Sequence, residues 1–556
     1  MAEPIEKTIQ DFVVGVDNFG QKIIRFIIWI AVAVILFFMS YSLLTTYPIR
    51  IDQIDAMDYV QISRNFSRGE GFTTKFIRPV SLRFFPYYEK HPEITVPPLY
   101  ILYMSGVMKM LKEKTFVAGE SDGKLIIFGS GVFFMLCIPL FFWLATRFLK
   151  GSMAHLALLF FVTNGIVLKS SISALPDLML VSIFLFLMIL VSYYDGENVF
   201  LPALVGAVLG LCYLTRYSFG LFSLILMVYF YIRAKQYKLL HVVMFLVPFV
   251  AVISPWLLRN YRLTGNPFFT LEFFKYKMFT DILPGNLYWR TVLQRLYDIG
   301  FDPVIVARKL GIGLRLNYEQ LLAITGNLMG SFFLVGLFCG GIKSRFERFK
   351  WLLVICFVLQ LFLSALFRPC ANVLLPFFPL IILVAVALFN EIMTRKSVDP
   401  FIRLAIVILF VMINIFPMFW NFVPKLFKEQ SHRDQKQYWE ENIIEVSGIA
   451  NEGTVLISDI PWATAWYGNL ISVWLPWSEE DYDVMTEIAA PVDGCYFSPL
   501  TLRYPQGEDK IWLKLYSFIV RYNQTPEDNR FGWTWTQRFR QGDAVCLNPA
   551  KLRSKQ

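Results

Sequence analysis

Charged residues are scarce in this chain. Only 17% of the 556 residues are Asp, Glu, Lys or Arg, whereas 56% are hydrophobic and 17% are aromatic. This composition excludes an ordinary soluble globular protein and predicts a polytopic membrane protein. The formal net charge is +10, but Lys and Arg fall mainly between the apolar runs, where they set membrane orientation. Nucleic-acid binding is therefore not expected.

Metal and nucleotide motifs are also missing. The seven cysteines include no CxxC pair, and the four histidines are scattered, so the sequence encodes neither a structural zinc site nor an HExxH metalloprotease. It has no Walker A loop and no GxGxxG in a βαβ context. The absence of an internal repeat argues against a solenoid and weakens the case for an inverted-repeat transporter.

About eleven apolar runs approach the roughly 20 residues that a membrane-spanning helix needs. The first, residues 23–44, follows a polar N-terminus without a small-residue cleavage site, so we interpret it as a retained anchor. Basic residues such as Arg147, Lys150, Arg345 and Arg348 collect in alternate loops. By the positive-inside rule, the N-terminus is cytoplasmic and the C-terminus lies outside the cytoplasmic (inner) membrane.

Two long loops are predicted on the outer side of the bundle. The first, about 46–124, carries an amphipathic piece at 55–67 and an apolar piece at 97–111. The apolar piece has roughly 15 residues, the length of an interfacial or re-entrant helix, and counting it as a span would turn the later basic loops outward. It is therefore placed on the outer surface beside the amphipathic piece, and both are predicted to be juxtamembrane helices. The other loop, about 259–320, is mixed polar and aromatic, which suits the membrane interface.

The composition changes near residue 420. Residues 1–420 are predicted to form the transmembrane domain, and the charged, Trp-rich residues 421–556 a small external α/β domain. Strand-like runs lie at 454–458, 472–475 and 494–497, with a helix-like run at 479–488. The predicted fold is therefore mainly α, a transmembrane helical bundle with two juxtamembrane helices and a C-terminal α/β domain.

Carboxylates gather at the predicted outer boundary. Asp52, Asp55 and Asp58 follow the first span at intervals of three, so Asp55 and Asp58 point to similar sides of a helix. Asp177 begins a later span on the same membrane face, directly after Pro176. Helix capping explains such residues, and so does a shared outward-facing site with a general base.

Arginines accompany the carboxylates. Arg216, Arg259 and Arg368 lie at the same predicted boundary, and a planar guanidinium binds phosphate oxygens in a bidentate manner. Each arginine taken alone is better explained as a snorkelling anchor than as a phosphate ligand. Together with the carboxylates they indicate a base beside a phosphate-binding site.

The chain resembles the GT-C fold glycosyltransferases that use polyprenyl-phosphate-linked sugars, in the protein O-mannosyltransferase and lipid A aminoarabinose transferase branch. The resemblance lies in short motifs that follow the family's order through most of the membrane region. The motifs are Asp55-x-x-Asp58-Tyr59-x-x-Ile62-Ser63-Arg64, Pro97-Pro98-Leu99-Tyr100, Leu175-Pro176-Asp177, Leu214-Thr215-Arg216, Pro255-Trp256-x-x-Arg259-Asn260-Tyr261-x-x-x-Gly265-x-Pro267 and Leu374-Leu375-Pro376-x-x-Pro379.

The resemblance implies roles for individual residues. Asp55 matches the general base, Asp177 a supporting acid, and Arg216 the cation for the lipid phosphate, where many relatives carry Lys. Relatives often have Lys or His directly before the proline that opens the second juxtamembrane helix, but here Val96 stands there. Lys90 or His91, a few residues upstream, is expected to substitute for this missing cation. The residues expected in supporting roles are Asp58, Tyr59, Lys90, His91 and Tyr100.

The implied reaction is transfer of a sugar, with inversion, from a polyprenyl-phosphate donor to a lipid, glycan or protein acceptor. The sequence identifies no cofactor, although the three nearby aspartates could hold Mg²⁺ or Mn²⁺. The main alternative is a transporter or flippase, but coupling carboxylates usually lie within the spans rather than at one face. A sensor or scaffold would leave the Asp and Arg motifs unexplained.

Two properties of the predicted external domain stay open. It either holds the acceptor or simply caps the membrane domain. Cys495 and Cys546 either pair in an oxidising compartment or remain buried thiols.

Overall fold

A computed structural model gives the fold of most of the chain. It describes residues 51, 53–111, 122–277, 286–292, 302–338, 344–395, 400–421, 439–504, 507, 510–527 and 529–553, and positions 26, 29, 30 and 32. Most of the predicted span at 23–44 lies outside the described residues, and so does Asp52.

The first loop contains both predicted juxtamembrane helices. They pack against each other, with the Tyr59 and Tyr100 rings edge to face at 5.5 Å between centroids. Pro97 and Pro98 set the start of the second helix, where a missing N–H costs nothing. The loop elements are α1 (Ile54–Ser67), β1 (Phe76–Ile77), α2 (Pro79–Leu82) and α3 (Pro98–Met110).

The apolar runs that follow are helices, since a helix satisfies its own backbone groups in lipid. They are α4 (Asp122–Phe148, with a π-helical turn at Ile127–Gly131), α5 (Ser152–Val162), α6 (Gly165–Ser171), α7 (Asp177–Tyr193), α8 (Phe200–Thr215), α9 (Phe222–Arg233) and α10 (Lys238–Thr264). After α11 (Leu287–Arg290) come α12 (Pro303–Phe338), α13 (Ser344–Phe367), α14 (Ala371–Leu374), α15 (Phe378–Arg395) and α16 (Pro400–Asn421).

Among the described residues, four helices are long and apolar enough to cross a membrane. They are Asp122–Phe148, Lys238–Thr264, Phe346–Phe367 and Ala371–Met393. The pair α5 and α6 counts as a fifth if it is one span, and five further apolar helices are shorter. A multi-pass membrane protein is therefore confirmed, whereas the count of eleven spans stays a prediction.

The predicted span at 154–167 is bent. Helices α5 and α6 meet at 59°, because Asn164 caps α6 by accepting hydrogen bonds from Ile166 N and Val167 N. The Asn164 side chain also donates to the Ile324 carbonyl, beside Gly326, where α12 is kinked at φ 68°. Neither break follows from hydropathy, which registers only that these residues are apolar.

Helices α8 and α10 approach closely at Gly206. A Cβ atom built on Gly206 would overlap the Phe245 carbonyl oxygen. The close approach therefore requires glycine at this position.

A six-stranded sheet forms the C-terminal domain, with strand order β1-β3-β2-β4-β6-β5. Strands β2, β3 and β4 match the predicted runs to within one residue and are buried throughout, which suits parallel strands covered by helices. The elements are α17 (Glu440–Ile449), β2 (Val455–Ser458), α18 (Pro461–Tyr467), β3 (Ile471–Trp474), α19 (Glu479–Ile488), β4 (Gly494–Phe497), α20 (Ile511–Tyr522), β5 (Trp535–Arg538) and β6 (Ala544–Leu547).

One strand of this sheet comes from the first loop. Phe76 and Ile77 of β1 pair in parallel with Ser472 and Val473 of β3. Nearby, the buried Arg64 side chain of α1 donates to the Ala465 and Trp466 carbonyls of α18 at 2.7 and 2.8 Å. The first loop and the C-terminal domain are thus joined by main-chain pairing and by a buried cation.

Replacement of Gly206 by alanine is expected to lower the free energy of unfolding by about 1–3 kcal/mol, because the methyl group forces α8 away from α10. Gly106→Ala is the matched control, since Gly106 is an exposed helical glycine with open space around its Cβ position. That change is expected to be neutral or to stabilise by up to about 1 kcal/mol. Thermal denaturation in detergent compares the two, and equal stabilities would contradict the close approach.

Candidate active site

Asp55 lies in the first turn of α1, where the N-cap residue is Gln53, whose side chain makes no capping hydrogen bond. The Asp55 carboxylate accepts a hydrogen bond from Arg368, which follows directly after α13. About 42% of the Asp55 side chain is exposed. Burial of the rest raises its pKa, but Arg368, with smaller effects from Lys275 and Arg78, holds the pKa below the ordinary value. Asp55 is therefore an accessible, ionised carboxylate at neutral pH.

Asp58 lies one turn further along α1 and is almost fully buried. Arg78, directly after β1, donates to its carboxylate at 2.6 Å. The other terminal nitrogen of Arg78 lies 4.0 Å from the buried Glu93 carboxylate. Burial raises the pKa of Asp58 to about 7, against the lowering effect of Arg78. Asp55 and Asp58 share a side of α1 as predicted, yet each has its own arginine.

Asp177 is the third carboxylate and begins α7. It accepts from Arg216 at 2.8 Å and from the Asn372 amide at 2.7 Å. The π-helical turn of α4 helps to place it, because the Ser130 hydroxyl bonds to the main chain of Leu175. Asp177 therefore has an arginine and an amide as side-chain partners in addition to its place in the first turn of α7.

A single short segment brings these groups together. Arg368 contacts Asp55, and Asn372, four residues later, contacts Asp177. The charges of Arg368 and Asp55 also act on Asp177. Four predicted site residues, Asp55, Asp177, Arg216 and Arg368, thus meet around residues 368–372, where α7 begins and α8 and α13 end.

Arg259 of α10 holds the first loop. It donates to the Phe72 and Glu93 carbonyls at 3.2 and 2.8 Å, and its guanidinium lies over the Trp256 ring at 4.4 Å. These contacts occupy it with main-chain acceptors around the Arg78–Glu93 pair. Its predicted role as a phosphate ligand stays a prediction.

Tyr59 and Tyr100 line the interface between α1 and α3. Burial raises the pKa of Tyr59 well above its ordinary range, with a further contribution from Glu272. Tyr59 is therefore a neutral phenol with charged neighbours that include Asp55 and Arg216. Tyr100 is 1% exposed.

Lys90 and His91 lie in different surroundings. Lys90 is exposed, whereas His91 is buried with one ring nitrogen 2.7 Å from the Ser81 hydroxyl and the other 2.9 Å from the Tyr87 carbonyl. Burial lowers the pKa of His91 to about 4. His91 is thus neutral at physiological pH, which leaves Lys90 as the cation of this predicted pair.

Sequence reasoning missed five residues near the carboxylates. Asn372 was within reach of inference, because it lies close to Arg368 in a polar break between apolar runs. No spacing rule relates the others to Asp55, since they reach it through tertiary structure. They are Arg78 and Glu93 of the first loop, Asn372, and the paired Glu272 and Lys275 of the second loop.

The described part of the chain contains no cluster of potential metal ligands. Across those residues, no three His, Cys, Asp or Glu side chains converge on one point. Asp55, Asp58 and Asp177 each have an arginine partner.

Solved structures share this fold. ArnT from Cupriavidus metallidurans bound to undecaprenyl phosphate superposes with a TM-score of 0.56 at 14% identity, over 95% of this chain and 99% of that chain. The Archaeoglobus fulgidus oligosaccharyltransferase matches in its apo form and when tethered with an acceptor peptide. The TM-scores are 0.53 and 0.52 at 12% and 11% identity, over 83% of this chain and 69% and 68% of those chains. No protein-family model and no curated protein matches the chain. The predicted GT-C fold is therefore confirmed.

His91 is expected to make stability depend on pH. Because its pKa falls from the ordinary 6.5 to about 4 on folding, it stabilises the folded state above pH 6.5, and this contribution is lost as pH falls towards 4. The shift corresponds to roughly 3 kcal/mol. Melting temperatures of the wild type and His91→Gln are compared from pH 7.5 to 4. A difference between the two proteins that does not change with pH would contradict a neutral buried His91.

Proposed function

We propose that this chain, which has the GT-C membrane fold, is an inverting glycosyltransferase that uses a polyprenyl-phosphate sugar. The acceptor is a lipid, glycan or protein at the outer face of the cytoplasmic membrane. The observation that carries the proposal is the accessible, ionised Asp55 beside Arg368, with Asp177 and Arg216 on the same short segment. A base and two phosphate-compatible cations are what sugar transfer from a phosphate leaving group requires.

In the proposed reaction, Asp55 accepts the proton of the acceptor hydroxyl. The acceptor oxygen forms a bond to the anomeric carbon as the bond from that carbon to the phosphate oxygen breaks. The electron pair and the negative charge leave with the polyprenyl phosphate. Attack from the face opposite the leaving group inverts the anomeric configuration.

Arg368 is proposed to bind the departing phosphate, although it is bonded to Asp55 here. A phosphate is a strong bidentate partner for a guanidinium and competes for the same donors. Transfer of Arg368 from Asp55 to phosphate would raise the basicity of Asp55 at the moment the donor is bound. Arg216, held by Asp177 and 23% exposed, is proposed as the second phosphate ligand.

The position of the carboxylates supports an enzyme over a transporter. Asp55 and Asp58 lie in a juxtamembrane helix, and Asp177 is the first residue of α7. A proton- or ion-coupled transporter typically has such groups near the middle of its spans. The undecaprenyl phosphate bound by ArnT further supports a polyprenyl phosphate as the carrier.

Replacement of Asp55 by asparagine is expected to reduce transfer at least about 100-fold, because it removes the base and keeps the shape of the side chain. The assay follows a labelled sugar from polyprenyl-phosphate donors into membrane extract. Glu197→Gln is the control, since Glu197, in the turn between α7 and α8, is an exposed carboxylate paired with Lys235 and lies at the opposite ends of these helices from Asp177 and Arg216. Equal transfer by wild type and Asp55→Asn would exclude Asp55 as the base. Failure of the wild type with every donor would reject the proposed function.

Replacement of Arg368 by glutamine is expected to shift the acid limb of kcat/KM to higher pH, because Arg368 lowers the pKa of Asp55. It is also expected to raise KM for the donor more than KM for the acceptor. Arg315→Gln, at an exposed arginine paired with Glu319, controls for loss of a positive charge. An unchanged acid limb together with an unchanged donor KM would contradict both roles of Arg368.

A further inference from the structure

Arg78 is held between two aromatic rings. Its guanidinium lies over the Phe76 ring at 4.3 Å and faces the Trp289 ring at 5.4 Å. Only 11% of its side chain is exposed. The same guanidinium bonds to Asp58, so the two rings determine where the positive charge beside the acidic residues of α1 lies.

The C-terminal domain holds the first ring. Phe76 belongs to β1, and its register partner is Ser472 of β3. The Ser472 N–H donates to the Lys75 carbonyl at 2.8 Å, and the Phe76 ring also packs edge to face on Trp474 at 5.5 Å. Arg78 therefore follows a strand whose position is fixed by the edge of the C-terminal sheet.

The same domain holds the second ring through the second loop. Arg290, next to Trp289, is fully buried and donates to the Leu475 and Pro476 carbonyls at 2.6 and 3.2 Å. The Thr291 hydroxyl donates to the Asp481 carboxylate, which also accepts from Val292 N at 3.1 Å. Both rings around Arg78 are thus anchored to β3 and to the loop and helix that follow it.

We propose that Arg78 is a positioning residue for the acidic residues of α1, and that the C-terminal domain sets its position through β1 and the Trp289 loop. The inference rests on the proposed function and adds to it. The C-terminal domain is then a functional part of the catalytic centre rather than a cap over it.

The positive charge of Arg78 affects the ionisation of the nearby carboxylates. Arg78 acts on Asp58, Glu93 and Asp55 at once. A cap needs no buried cation, since apolar contacts would cover the helices without the desolvation cost of burying a charge. Loss or movement of Arg78 removes a positive charge that lowers the pKa of both Asp58 and Asp55, so ionisation of Asp55 would require higher pH.

The test compares the kinetics of substitutions at Arg78 and Thr291 with those of a substitution remote from both. Arg78→Gln is expected to move the acid limb of kcat/KM to higher pH and to lower kcat at least about 10-fold, and Arg78→Lys to restore part of both. Thr291→Val, which removes only the hydroxyl that bonds to Asp481, is expected to shift the limb in the same direction by less. Arg538→Gln, at an exposed arginine of β5 that donates to the Val520 carbonyl at the opposite edge of the sheet from β1, is expected to match wild type.

The outcomes separate this inference from the function on which it rests. Wild type without transfer from any donor rejects the proposed function. Wild type that is active, with Arg78→Gln and Arg78→Lys both retaining its pH profile and kcat, overturns the positioning role. If the acid limb of kcat/KM shifts in Arg78→Gln but not in Thr291→Val, the C-terminal domain does not set the position of Arg78. Melting temperatures show which variants are folded, and Trp289→Leu replaces Thr291→Val if the latter does not fold.

Discussion

Pairing of each carboxylate with its own arginine is the constraint on which this site depends. A buried, unpaired charge is strongly disfavoured, so the buried Asp58 and Asp177 each require a cation fixed by the fold, and the partly exposed Asp55 is paired as well. Arg368, Arg78 and Arg216 supply these cations from three separate segments. The turns and helix ends of the bundle are arranged so that the three pairs form side by side. The pairs also differ in exposure, which gives chemically identical side chains different acidities.

That difference in exposure separates chemistry from support. Asp55 is partly open to solvent, and Arg368 holds its pKa below the ordinary value, whereas Asp58 is enclosed and burial raises its pKa to about 7. An open carboxylate is suited to exchange a proton with a substrate. An enclosed one is suited to hold an arginine in place, and it does so for Arg78. Two carboxylates one helical turn apart thereby acquire separate functions from their surroundings alone.

Much of this was predictable from the sequence, and the remainder has a physical reason. Hydropathy predicted the apolar helices. The amphipathic pattern of α1 and the short apolar run of α3 predicted two further helices in the first loop, because all of these features follow from local composition. The runs of β-branched and aromatic residues located β2, β3 and β4. The membership of Phe76 and Ile77 in that sheet was not predictable, since a two-residue strand has no periodicity and its partner lies almost 400 residues away. Arg216 and Arg368 were predicted to lie at the same boundary as Asp55 and Asp177, but which arginine meets which carboxylate depends on packing.

The pairing of β1 with β3 has a consequence for biogenesis. The edge of the C-terminal sheet stays bare until a strand from the beginning of the chain reaches it, and a bare edge invites pairing with other chains. During synthesis, residues 76–77 emerge long before residues 471–474, so Arg78 finds its final place only after the C-terminal domain has been made. The pair of Asp58 and Arg78 near the start of the chain is therefore completed last, and a chain interrupted before β3 lacks the strand pairing that places Arg78.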